Sequence, residues 1–335
     1  MTVNKPQPAA PFKWFALIVT ILGLTWAAVT IAQPPPRRRH TANQRQELEL
    51  VPANQTLPVP NQVATTEQGA YRIIRVNSIP EHKVGQFPNR GNPHSIEQLV
   101  TTFRVPREPQ QSRTATPIRL GLNFGVAVNG VLFDPGAAEF WMGDYQSGWQ
   151  YEALGGAVPL GLDTNYAHVQ PTGKYHYHGL PTGLLQTLNV EADKHSPLVG
   201  WAADGFPIYA MYGFSDPQNA TSEVVELQPS FRLKQGNRPA GRTGPGGIYD
   251  GTFVNDYEYV EGLGDLDECN GRVCVTPEFP EGTYAYFLTQ HWPTVPRSFR
   301  GTPDDSFQMG PPGGGGGRPP GPPQGPPPFG GPPRR

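Results

Sequence analysis

The chain has 335 residues, of which 41 are proline, 40 are glycine and 16% are charged, with a formal net charge of −2. That density of helix breakers excludes a helical bundle or coiled coil and favours a loop-rich β architecture. The near-neutral balance gives no electrostatic footprint for nucleic acid, and two cysteines allow one bridge but no disulfide framework.

Residues Trp14 to Ala32 are apolar or small throughout and follow Lys5 and Lys13. The run is long enough to cross a bilayer and long for a signal-peptide core, so residues 1–33 read as a signal peptide or a membrane anchor. Arg37-Arg38-Arg39 just beyond it opposes export by the positive-inside rule. Residues 34–68, rich in Pro, Gln, Asn and Thr, read as a disordered linker. Tyr71 to Val76 is the expected first strand of a domain placed at 69–303. His82 and His94 then fall in a Pro/Gly/Asn-rich loop, where a histidine is more often solvated than ligating. The alternation from Ile118 to Phe133 predicts a hairpin with a type I′ turn at Asn129-Gly130. Trp141, Tyr145, Trp149 and Tyr151 are read as core in preference to a sugar-binding platform.

His168 to Pro181 reads H-V-Q-P-T-G-K-Y-H-Y-H-G-L-P and holds three of the eight histidines. On a strand, the alternation Tyr175-His176-Tyr177-His178 puts both tyrosines on one face and both imidazoles on the other. Pro171-Thr172-Gly173 has the chemistry of a turn that folds residues 166–169 back beside 174–178. His168 would then join His176 and His178 as ligands of a transition metal, Cu, Zn or Fe, with Ni also suited to imidazole. The competing reading is a structural strand with solvated or hydrogen-bonded histidines.

Further along, strands at 198–202 and 208–212 should flank an Asp204-Gly205 turn. Asp204 is the acid expected to face the histidines, and His195 the next candidate ligand or base, both as supporting residues. Residues 216–247 look like a polar surface excursion without a phosphate-cradling loop. Asp265-Leu266-Asp267-Glu268 carries oxygen ligands of the kind Ca²⁺ takes, but without EF-hand spacing, so a solvated acidic loop is the preferred reading. Cys269 and Cys274 are expected to form a disulfide across a tight loop. Gly282 to Leu288 should be a late core strand, with His291 at its rim. Residues 304–335, almost entirely Gly, Pro and Gln, read as a disordered tail.

The histidine stretch is similar to the signature of the YHYH-domain family of bacterial secreted and surface proteins. Asp204-Gly205-Phe206-Pro207-Ile208-Tyr209, Asp250-Gly251-Thr252-Phe253, the run from Glu258 to Gly271, and Gly282-Thr283-Tyr284-Ala285-Tyr286-Phe287-Leu288-Thr289 resemble the same family. The likeness extends from about Leu120 to Gly301 and implies an extracytoplasmic setting, without an activity attached. Together these readings predict a mainly β, sandwich or barrel-like single domain, exported and held at a membrane by its N-terminal segment. Its function is metal binding through the histidine hairpin or, alternatively, non-enzymatic binding of carbohydrate or envelope partners. No Gly-x-Ser-x-Gly elbow or clear carboxylate pair supports a serine hydrolase or a glycosidase.

Overall fold

The computed structural model describes Met1 and residues 41–309. The expected signal or anchor segment and the tail beyond Met309 lie outside the described residues. Among those described, no helix is long and apolar enough to cross a membrane.

Two sheets share the main core. One is an antiparallel meander of Val63–Gln68, Tyr71–Val76 and Thr101–Pro106. The other has eight strands in the order Gly271–Cys274, Thr283–Phe287, Pro207–Tyr209, Leu198–Ala202, Gly125–Ala127, Leu132–Phe133, Tyr175–Tyr177, Ala167–Val169. It is mixed: Tyr175–Tyr177 runs parallel to Leu132–Phe133, and Pro207–Tyr209 parallel to Thr283–Phe287. The order is open at both ends, so the architecture is layered and not a closed barrel. Ile74, Val76, Phe103 and Val105 of the meander cluster with Phe124, Val126, Tyr177 and Tyr286 of the larger sheet. Burying each such side chain contributes about 1.5–3 kcal/mol, which makes this seam the main adhesive of the fold.

Three hairpins of the large sheet are built alike. In each, three loop residues end in glycine at positive φ: Val128-Asn129-Gly130, Pro171-Thr172-Gly173 and Ala203-Asp204-Gly205. The glycine N–H bonds the carbonyl three residues back, from Gly130 to Ala127, Gly173 to Gln170 and Gly205 to Ala202. That is a type I turn closed by a left-handed glycine. The turn at Asn129-Gly130 is therefore not type I′, which would need positive φ at Asn129 as well. Asn129 is held otherwise: its Oδ1 accepts from Val131 N and its Nδ2 donates to Tyr177 Oη.

Composition misjudged the stretch before Tyr71. Ala42 N–H bonds Ala157 O, Val51 N–H bonds Leu162 O, and Gln55 and Val84 exchange both main-chain bonds. Leu48 and Leu50 pack on a second core cluster built from Trp149, Tyr151, Leu160 and Phe253. From residue 41 onward the segment is strapped to the fold by its backbone, a contribution invisible to a count of apolar side chains. At the other end Phe307, assigned to the tail by composition, is fully buried and stacks on Phe103 at 4.8 Å.

The expected disulfide is absent: Cys269 and Cys274 are free, buried thiols. Gly271–Cys274 is an extended strand paired with Thr283–Phe287. Cys269 belongs to the main core and Cys274 to a third cluster with Tyr209 and Phe287.

Candidate metal centre

The hairpin register sets His168 directly opposite His176. His178 lies two residues on, hence on the same face. The three Nε2 atoms converge, His176 to His178 at 3.0 Å and His178 to His168 at 3.1 Å. Nitrogens bound to one metal at 2.0–2.1 Å sit about 2.8–3.4 Å apart, depending on the angle between them. All three residues are buried, and His168, at 9% exposure, is the most accessible.

The outer nitrogens explain why Nε2 is the one presented. His168 Nδ1 meets the Leu160 carbonyl at 2.8 Å and His176 Nδ1 meets the Lys174 carbonyl at 3.3 Å. A carbonyl only accepts, so each Nδ1 carries the proton and each Nε2 a lone pair. His178 Nδ1 is buried without a well-formed hydrogen bond and is engaged only weakly, by the Asp134 main chain. A neutral His178 has one proton: placed on Nε2 it faces two competing lone pairs, and placed on Nδ1 it leaves three lone pairs face to face. In either state lone pairs outnumber protons, an arrangement that a cation relieves.

Charge points the same way. Burial, then the neighbouring His168, holds His176 well below the ordinary imidazole pKa. Burial, then His176 and His168, does the same to His178, with Arg297 adding its own repulsion. Both rings are thereby kept in the neutral, ligating form.

The tyrosines of the motif work on the opposite face. Tyr175 Oη donates to the buried Asp163 at 2.7 Å. Tyr177 Oη lies 2.6 Å from His82 Nε2 and accepts from Asn129 Nδ2 at 2.8 Å. His82 Nδ1 meets the Lys83 carbonyl, so Nε2 is the acceptor for the Tyr177 hydroxyl. The strand is thus pinned from behind while its imidazoles face the site.

The supporting residues are elsewhere. His195 packs on Tyr209, Phe214 and Phe287, with Nδ1 on the Ser196 carbonyl. The strand carrying Tyr209 is four places from Tyr175–Tyr177, about 19 Å at ordinary strand spacing. Asp204 accepts from Tyr286 Oη at 2.5 Å and Gly301 N at 2.8 Å, and burial raises its carboxyl to about 6. Asp204 is thus a turn residue that ties Gly301 to the core. Neither it nor His195 joins the three-histidine group, and neither do His82 and His94. The acidic loop is equally occupied: Asp265 accepts from Gln228 N, while Asp267 and Glu268 pair with Arg300.

Asp134 is the residue that sequence reasoning missed. Leu132 pairs with His176 in parallel, which sets Asp134 on the histidine face beside His178. It is buried, bonds Gly136 N at 3.2 Å, and has its carboxyl raised to about 6 by burial. The alternation of the preceding strand carried that signal, but the parallel pairing did not.

Comparisons with curated proteins and with solved structures each give no match. A family model described as "YHYH protein" matches residues 102–301, well over half of the chain. The matched span contains the hairpin, both of its tyrosine anchors and all three converging imidazoles, and the chain belongs to the YHYH family.

Proposed function

We propose that this domain binds one transition-metal ion, Cu, Zn or Fe, through His168, His176 and His178. The convergence of three buried imidazole nitrogens, with His178 Nε2 3.0 Å from that of His176 and 3.1 Å from that of His168 and all three within 4.8 Å of one another, supports the reading. Imidazole suits these ions, and three neutral ligands leave coordination positions for exchangeable groups. A metal held there would supply Lewis-acid or redox chemistry. The protein's own part is to keep the rings neutral, fix their tautomers and screen them from solvent.

The test is elemental analysis of the purified full chain beside the His176→Ala/His178→Ala variant. About one metal per chain, lost in a variant that keeps its fold, is expected. Absence of metal from the wild type, even after loading with Cu, Zn, Fe or Ni, would end the proposal.

We infer also that residues 1–33 carry the domain out of the cytosol and hold it at the membrane. The apolar run from Trp14 to Ala32 and the family likeness support this; the separated cysteines no longer do. Protease accessibility in intact, outer-permeabilised cells tests it, and full protection would count against it. The rival reading, a surface module binding carbohydrate through aromatic rings, loses Trp149 and Tyr151, which are buried against Phe253, but keeps Tyr145, which is exposed and not the core residue expected.

A further inference from the structure

A cleft of about 550 Å³ opens beside the histidine centre. Tyr166 and Leu180 line it, and each is two residues from a ligand candidate, His168 and His178 respectively. Two residues of chain reach at most about 7 Å. The volume is within the range of small-molecule sites.

Its walls are aromatic and basic. Trp292 lies flat on Tyr257 at 4.0 Å and 5°, and Phe231 meets Trp292 edge-on at 5.0 Å. Most charges on the wall are already neutralised. Glu152 accepts from Trp292 Nε1 and is paired with Arg297 at 2.5 Å, and Arg232 is paired with Glu258 at 2.9 Å. Arg45 differs. Its guanidinium makes one side-chain hydrogen bond, from Nη1 to Tyr257 Oη at 3.2 Å, and no ion pair among the described residues. The nearby Asp250 is taken by Arg238 and by the Arg45 main-chain N–H. One unneutralised guanidinium at the hydroxyl edge of a patch of rings is a recognition pattern for an anionic ring.

We propose that this cleft binds a small cyclic carboxylate, with its ring against Phe231 and Trp292 and its carboxylate on Arg45. Aromatic acids and sugar acids share that chemistry. The site stands independently of the metal centre, because none of its contacts is a ligand candidate.

Benzoate and D-glucuronate, titrated calorimetrically into the full chain at low salt, test it. Metal-free and zinc-loaded protein are run side by side, so failure of the cleft is distinct from failure of the centre. Saturable binding of at least one probe is expected in the metal-free form, weakened about tenfold in Arg45→Gln. Arg45→Lys, which keeps the charge, should recover part of it, and Phe231→Ala should weaken it independently. Benzoate alone would assign an aryl acid and glucuronate alone a sugar acid. Binding of neither, or binding that Arg45→Gln leaves unchanged, would overturn the proposal.

Discussion

At the scale of single residues, the motif divides its labour by face. The histidines occupy one face, and on the other Tyr175 and Tyr177 are anchored on Asp163, His82 and Asn129. Tyr177→Phe would leave His82 Nε2 and Asn129 Nδ2 without the hydroxyl they share, at a cost of about 1–3 kcal/mol. Urea denaturation should show that loss while the metal content of the folded protein stays near the wild-type value. An unchanged midpoint would mean that the hydroxyl anchors nothing. The tyrosine–histidine alternation was legible from period two alone. The partners were not, because His82 is 95 residues from Tyr177 and its loop has no pattern that announces the contact.

At the scale of elements, the site depends on the turn that sets its register. Gly173 has φ +89°, and a Cβ there would come within 2.4 Å of Glu97 Cγ. Gly173→Ala should therefore cost at least about 1–2 kcal/mol and loosen metal binding, since His168 and His176 face each other only in this register. Gly69→Ala is the control: its φ is also positive, but a Cβ there meets nothing within 4 Å. Thermal unfolding and zinc titration of the two variants separate backbone strain from collision. Equal effects would remove the turn from the account. The turn chemistry of Pro171-Thr172-Gly173 makes this hairpin legible in the sequence. The neighbours of the hairpin are hidden there, because sheet order comes from pairing between distant segments. Leu198–Ala202 pairs with Gly125–Ala127 and not with the histidine strand, which removes His195 and Asp204 from the site. The same limit produced the mistaken disulfide: four intervening residues suggested a loop, and the backbone made a strand of most of them.

At the scale of the whole molecule, folding maintains two imidazoles in a form that acid opposes. The pKa values of His176 and His178 are depressed in the folded chain, while the unfolded chain takes up protons below about pH 6.5. The unfolded state then binds more protons, so their contribution to stability is present above that pH and is lost as pH falls. Asp134 and Asp204, raised to about 6, act in the opposite sense between about pH 4 and 6. The histidine part is therefore read as the difference between wild type and His176→Gln/His178→Gln. The stability of metal-free wild type relative to this variant should fall on going from pH 7 to pH 5, and a pH-independent difference would contradict the burial argument. The layered β class was legible from composition and alternation, whereas the strap at residues 41–62 was not, since main-chain hydrogen bonds hold it. The central claim concerns three nitrogen atoms and is tested most directly by anomalous scattering at the zinc edge from zinc-soaked crystals of the protein. One strong peak within about 2.0–2.1 Å of all three Nε2 atoms is the expected result. Zinc bound elsewhere, with no peak among His168, His176 and His178, would contradict it.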